Sequence, residues 1–449
     1  MELIEQRLLK LIEIEGAITF ARFMEEVLYS PNGGYYTSRN PVGAEGDFFT
    51  SPNSHPLFGA LIAIQLEQMW EILNKPATFT IIEPGGGSGL LAHDILNYSH
   101  SLDPEFSDSL RYIIIERSTP ETQLNDRITW LKANRLPIRN ITGCILSNEL
   151  LDSMAVHKIR IQKGQLFEIF VTQREGKLEE IMKEPSSEKI NAHIMEATGG
   201  DLSKDFQTEL NLGLESWFSE AVNSLDRGFV LTFDYGATTA ELFSPSRSAG
   251  TIRTYYKHTI SDNPYIRLGK QDITSHVNFS RLMNMGVAKG LTNLGYTTQR
   301  NFLKRLGADA YLETLSQQSR VLLHPDSIET IGDIHQNPSC IEKGSRIPAK
   351  MLSQRDLSAN RIAILGLLKI GGMGDFKVLA QGKGMGTQAL SGFNSNHPLP
   401  TKLLQKIKES SVPIRDEHRI PLLEGRYPHQ NFDYDAIWPW MANQDHLNQ

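Results

Sequence analysis

Apolar side chains recur along this chain in two periods, one helical and one extended. Leu3, Ile4, Leu8, Leu11, Ile12 and Ile14 fall close to one helix face. Phe20, Phe23, Met24 and Val27 do the same over 18–28, with Thr19 placed to cap that helix. A third helix is predicted over 58–73, carrying Leu61, Ile62, Ile64, Leu66 and Met69. From 79 onward short apolar runs suited to buried strands appear at 79–83, 111–115, 128–131, 143–147 and 228–233. Helix-compatible stretches such as 90–96 and 214–225 lie among them, and the polar stretch 97–109 reads as a loop insertion. Strands alternating with helices predict an α/β fold built on a parallel sheet.

Other segments interrupt that alternation. Residues 157–183 alternate like a hairpin turning at Lys163-Gly164, followed by a polar region to 211. Residues 238–270 read as a loop-rich insertion. Asp272 or Thr274 is placed to cap a helix over 281–294, and 302–368 reads mainly helical. A closing strand is expected at 376–380, and a weakly structured tail with Trp438 and Trp440 follows. The predicted division is 1–57 (N-terminal helical cap), 58–156 (first part of the core), 157–211 (hairpin insertion) and 212–236 (core continued). It goes on with 237–310 (substrate-side insertion and helix), 311–384 (C-terminal helices and closing strand) and 385–449 (extended tail).

Composition narrows the function classes. A chain of 449 residues is too long for one ordinary core, so two domains or one with large insertions are expected. A net charge of −7 without a basic stripe argues against a DNA partner. Two cysteines, Cys144 and Cys340, make neither a disulfide framework nor a metal cluster. No apolar run has the ~20 residues that would span a bilayer, so no membrane insertion is expected. The N-terminus lacks a basic-then-apolar signal, and the sequence reads as cytoplasmic.

The chemistry centres on Glu83-Pro-Gly-Gly-Gly-Ser-Gly89, a glycine turn between a strand and a helix. No Lys-Ser or Lys-Thr follows, so it is not a phosphate loop, and Leu90 stands where a dinucleotide fingerprint needs its third glycine. The E-x-G-x-G-x-G pattern resembles the first strand of class I S-adenosylmethionine methyltransferases. Glu83 would then help hold the cofactor's cationic end, and Gly85, Gly87 and Gly89 would give its methionine moiety room. A tight turn with no ligand is the alternative. Glu116, ending the next strand, suits ribose hydroxyls, or is an ordinary solvated Glu. Asn148, Glu149 and Asp152 follow one apolar strand and Asp234 ends another. Both sets are expected at the carboxyl edge of the sheet, where ligands sit in open α/β folds.

Several ordered segments resemble the MidA-type methyltransferases. They are L-Y-x-P-x-x-G-Y-Y at 28–36, G-D-F-x-T-S-P at 46–52, the glycine turn, N-E-x-L-D at 148–152, D-Y-G at 234–236, G-T-I-R at 250–253 followed by His258, and D-I-T-x-H-V-x-F-S at 272–280. Pro84 and Gly86 depart from the usual Leu and Pro, and Asn278 stands where Asp is common. That family includes a mitochondrial complex I assembly factor that methylates an arginine of a complex I subunit. The resemblance implies a Rossmann-like class I methyltransferase sheet with helices on both faces, S-adenosyl-L-methionine as cofactor, and a protein-arginine acceptor, by resemblance on an NADH dehydrogenase subunit. Glu149 is the first candidate to orient a guanidinium. Asp152 and Asp234 are the further catalytic candidates, though the one reads equally as a helix cap and the other as ordering a loop. Asp47 and Thr50 would close over the cofactor alongside Asn148. Arg253 and His258 would line a substrate wall or pack a loop, and His276 reads equally as structural or proton-carrying. A small-molecule, lipid or RNA methyltransferase and a non-catalytic cofactor-binding assembly factor remain the other readings.

Overall fold

The computed structural model describes residues 3–38, 47, 49–117, 125–323, 354–409 and 412. Seven strands form the central sheet: β1 (Phe79–Pro84), β2 (Leu110–Glu116), β3 (Ile128–Lys132), β4 (Ile141–Asn148), β5 (Leu225–Asp234), β6 (Leu291–Thr298) and β7 (Lys377–Lys383). Their spatial order is β3-β2-β1-β4-β5-β7-β6. The first five are parallel, and β7 inserts antiparallel between β5 and β6. The chain winds outward from β1 to β3 and then returns to place β4 on β1's other side. That reversal opens a crevice at the carboxyl ends of β1 and β4.

Apolar residues on both faces of these strands explain why both faces are covered. On one side Phe79, Ile81, Ile114, Cys144 and Phe233 pack with helices Leu57–Ile72 and Leu90–Ser99 and with C-terminal helices. On the other, Ile82, Ile145 and Val230 meet Leu214–Ser224 and Phe279–Ala288. Cys144 is a fully buried thiol inside the first of these cores; Cys340 lies outside the described residues. Strand glycines permit two unusually close approaches. A Cβ on Gly143 would stand 1.9 Å from the Thr80 carbonyl oxygen, and one on Gly228 would stand 2.1 Å from that of Gly143.

The N-terminal helices, Leu3–Glu15 and Phe20–Tyr29, form as the pattern predicts, and the Thr19 hydroxyl accepts from Arg22 N at 3.1 Å. They flank a two-residue strand that pairs Ile18 with Val171, joining them to a second sheet. Strands His157–Gln162, Gln165–Arg174, Lys177–Lys183 and Phe206–Leu210 complete that sheet. The hairpin turns at Lys163 and Gly164, both at positive φ, as expected of a two-residue loop.

Some elements differ from the sequence pattern. Residues 97–109 are not a loop: the helix runs on to Ser99, and Asp103 caps a short helix, Pro104–Ser109. The polar region to 211 holds the helix Glu188–Thr198 and a strand. The helix expected over 281–294 ends at Ala288. Gly290 turns at φ +81, and Leu291–Thr298 becomes β6, where threonines and Tyr296 favour extended backbone. Its cap is Asn278, whose side chain accepts from Arg281 N, not Asp272 or Thr274. The loop-rich insertion carries a hairpin, Arg253–Tyr256 and Thr259–Ser261. Helices Gln299–Arg305, Ala308–Leu323 and Gln354–Leu367 fill the described part of 302–368. The tail begins with a buried Leu390 and the helix Thr401–Glu409, while Trp438 and Trp440 lie outside the described residues.

Gly143→Ala is expected to destabilise the protein by about 3 kcal/mol or more, because β1 must move away from β4 to admit the methyl group. A thermal melt checks this; an unchanged midpoint would contradict the close approach.

Candidate active site

The glycine turn closes β1 onto the helix Leu90–Ser99. Gly85, Gly87 and Gly89 all have positive φ, +71, +57 and +79, where a side chain is strained. A Cβ at Gly85 would lie 2.7 Å from Leu150 Cδ1 and one at Gly89 2.9 Å from Trp130, but one at Gly87 would have no atom within 4 Å. The turn is packed on two sides and open on the third. Glu83 is buried beneath it, accepts from the Tyr112 hydroxyl at 2.8 Å, and is pushed up to about 7 by burial. At the end of β2, Glu116 accepts from Gly87 N at 2.8 Å and from Arg117 N at 3.2 Å. Burial also raises its pKa. Asn148, ending β4, gives its amide to Glu149 Oε1 at 3.2 Å. Its buried Oδ1 has no partner among the described residues.

Beyond β4 the backbone turns abruptly. Glu149 has φ +48, a strained value for a side-chain-bearing residue. Its N–H donates to the Phe233 carbonyl at 2.9 Å. The Asp234 carboxylate accepts from Leu150 N, Leu151 N and Tyr235 N, at 3.2, 2.8 and 2.8 Å. Asp234 is thus spent largely on ordering the turn that presents Glu149. The Glu149 carboxylate accepts from Ser51 N at 2.9 Å, so the short helix Ser51–Ser54 docks upon it.

Four carboxyl groups gather here. Burial pushes Glu149 up to about 7, and burial with the nearby Glu149 charge pushes Asp234 up to about 8. Asp272 rises to about 7 by burial, while accepting from Tyr36 OH and Ile273 N, both at 2.9 Å. Asp152 is also raised well above the usual carboxylate range, by burial and then by the fields of Asp234, Asp272 and Glu149. Like charges held together out of water favour protons or a cation. Asp272 entered the sequence analysis only as a helix cap; the strand Asp272–Thr274 instead delivers it to this cluster.

The other predicted residues lie around the cluster. Asp47 accepts from Tyr35 OH and Lys257 N, both at 2.7 Å, which ties it to the tyrosines and the hairpin. Thr50 caps the helix that docks on Glu149, its hydroxyl bonded to Asn53 at 2.6 Å. His258 stacks on Phe49 with ring centres 4.9 Å apart, and its backbone N–H donates to the Asp47 carbonyl at 2.9 Å. Arg253 is half-exposed and 3.4 Å from Asp262. Arg247 donates to His276 Nδ1 at 2.6 Å, which requires that nitrogen to be an acceptor. Burial and then the Arg247 charge hold His276 down at about 4, so it is neutral at pH 7. Among the described residues no cluster of three or more His, Cys, Asp or Glu is arranged to hold a metal, and no helix is long and apolar enough to cross a membrane.

Comparison with known proteins gives this geometry a context. Residues 61–297 match the model of a family described as "Putative S-adenosyl-L-methionine-dependent methyltransferase". The human mitochondrial protein arginine methyltransferase NDUFAF7 is 27% identical over 343 residues, 69% of this chain and 74% of that protein. Its Drosophila melanogaster homolog is 26% identical, over 67% and 74%. A Burkholderia thailandensis structure bound to S-adenosyl-homocysteine superposes with a TM-score of 0.70 at 27% identity, covering 87% of this chain and 94% of that one. The expected cytoplasmic location is corrected here, because these curated relatives are named as mitochondrial proteins.

The cofactor is S-adenosyl-L-methionine, and the residues present fit it. The turn is open at Gly87, Glu83 and Glu116 offer acceptors for an ammonium and for ribose hydroxyls, and Asn148 Oδ1 is a buried acceptor awaiting a donor. Gly87→Val is expected to fill the open face and abolish S-adenosyl-homocysteine binding, by at least about a hundredfold, while the fold survives a strain of about 1–3 kcal/mol. Calorimetric titration beside a thermal melt checks this; wild-type affinity in the variant would contradict the placement.

Proposed function

Because the chain belongs to this family of S-adenosyl-L-methionine-dependent methyltransferases, we propose that it methylates an arginine side chain of a protein. The supporting observation is the carboxylate set at the carboxyl edge of β4 and β5, in which a partly buried Glu149 stands before the buried Asp152 and Asp234. When bound, the cofactor supplies an electrophilic methyl group. Transfer to a guanidinium then requires chiefly that the acceptor nitrogen be held within about 3–3.5 Å and in line. An arginine side chain brings a planar cation with a fork of N–H donors that matches carboxylates. Glu149, rigidly presented by its strained backbone and the Asp234 clamp, is proposed to hold that fork and turn one nitrogen toward the donor. Asp152 and Asp272 lie close enough to bias the same group electrostatically. Asp234 acts through the turn, as a positioning residue. Arg253, His258 and His276 are proposed to shape the entrance, with neutral His276 adding no competing charge.

Two relatives are named protein arginine methyltransferases, which supports the same acceptor class. The MidA-type resemblance extends the proposal to an acceptor on a respiratory NADH dehydrogenase subunit, with a role in complex I assembly.

Purified protein given methyl-labelled cofactor and a cell lysate is expected to place label in protein that yields methylarginine on acid hydrolysis. Label in RNA or in small molecules, or none at all, would overturn the reading. Glu149→Gln is expected to lower that transfer by at least about a hundredfold while S-adenosyl-homocysteine affinity stays within about threefold. Unchanged turnover would remove Glu149 from its role.

A further inference from the structure

Three tyrosines of the N-terminal segment run between the ribose end of the site and the acid cluster. The Arg117 guanidinium lies 4.0 Å from the centre of the Tyr29 ring. Tyr29 stacks on Tyr36, ring centres 5.4 Å apart and planes within 16°. Tyr36 meets Tyr35 edge-on at 5.0 Å. At the far end Tyr36 donates to Asp272 and Tyr35 to Asp47. The Tyr29 hydroxyl lies 3.0 Å from both the carbonyl and the hydroxyl oxygens of Ser153, next in sequence to Asp152. At the near end the Arg117 N–H donates to one Glu116 oxygen while Gly87 N holds the other. The Arg117 side chain also lies 3.7 Å from Glu25, on the helix that carries Tyr29.

We propose that Arg117 is a positioning residue that carries occupancy of the ribose site to the acceptor pocket, through the Tyr29–Tyr36 stack to Asp272. The proposal rests on the methyltransferase reading. Its physical basis is that Glu116 is shared. Each Glu116 oxygen keeps a second lone pair for a ribose hydroxyl, and a hydroxyl bound there re-aims the carboxylate that the Gly87 and Arg117 amides share, shifting the backbone from which Arg117 springs. A cation over an aromatic face is a directional contact that loses strength as it moves off the ring. The Tyr29 face therefore responds to where Arg117 is held, and Tyr36, packed on that face, aims its hydroxyl at Asp272. Donor binding is thereby linked to the shape of the pocket that receives the acceptor, a coupling that must act equally in both directions. The sequence sets the two ends far apart, Arg117 after β2 and Tyr36 before the core begins, and only the fold makes them neighbours.

Hydrogen exchange read by mass spectrometry, with S-adenosyl-homocysteine as the probe, tests this. In the wild type, saturating probe is expected to slow amide exchange at least about fivefold over 29–37 and 272–276, as well as at the glycine turn. In Arg117→Ala the probe still slows the glycine turn, but the slowing over 29–37 and 272–276 is lost. Arg117→Lys, which keeps a cation over the ring, restores part of it. Tyr36→Phe, which keeps the stack and removes the hydroxyl, retains the slowing over 29–37 and loses it over 272–276. Full slowing in Arg117→Ala, or wild-type binding with no slowing over 29–37, would overturn the proposal. A wild type that does not bind the probe would defeat the methyltransferase reading itself, and the titration separates that result from the others.

Discussion

The hydrogen bonds that the Asp234 carboxylate accepts from Leu150 and Leu151, with the bond from Glu149 N to Phe233, fasten the ends of β4 and β5 together. Everything proposed for the acceptor depends on that fastening. Glu149 sits at φ +48, which costs of order 1–3 kcal/mol and persists only where neighbours over-determine the backbone. The clamp supplies the over-determination of the backbone, and the Ser51 amide and the Asn148 side chain, both donating to the carboxylate, hold the end of a long side chain in place. A fixed carboxylate distinguishes a guanidinium nitrogen that is in line with the donor from one that is not, and a 1 Å misplacement can cost about a hundredfold in rate.

The same clamp has an electrostatic consequence. It places Asp234 beside the partly buried Glu149 and the buried Asp152 and Asp272, and all four carboxyls are raised. Such a cluster is costly with every group ionised, and it is relieved either by protons or by a cation. The N-terminal segment manages the remaining polarity. Tyr35 and Tyr36 donate to Asp47 and Asp272, and the Ser51 amide donates to Glu149. The helical cap is therefore part of the site's wall, anchored by the Ile18–Val171 pairing to the inserted sheet.

Much of this was legible in the sequence, for physical reasons. Strands such as 79–83 and 143–147 are apolar on both faces because helices bury both, and that signal needs no partner to be read. The glycine turn was legible because three positive-φ positions in a row of seven leave few residue choices. Glu149 and Asp152 were legible because charge straight after a buried strand demands a reason. What failed was non-local. Residues 291–294 looked like the end of a helix because the pairing of Leu291–Thr298 with β7 is invisible from either segment alone. Asp272 looked like a cap because a carboxylate before a helix is locally sufficient to be one, and its place among the other carboxyls comes from the strand pairing of Tyr255 with Asp272. The bonds of Asp47 to Tyr35 and Lys257, which join it to the tyrosines and the hairpin, are likewise contacts that neither segment shows by itself.

The most direct test of the central claim is proton release. The protein saturated with S-adenosyl-homocysteine would be titrated at pH 7 with the peptide Gly-Arg-Gly, by calorimetry in two buffers of different ionisation heat. With Glu149 and Asp272 raised to about 7, a guanidinium entering the cluster should expel protons, so the observed heat should differ between buffers by about one proton's worth. Equal heats in the two buffers, with binding present, would mean that the cation does not meet these carboxyls, and the account of the acceptor site would be contradicted.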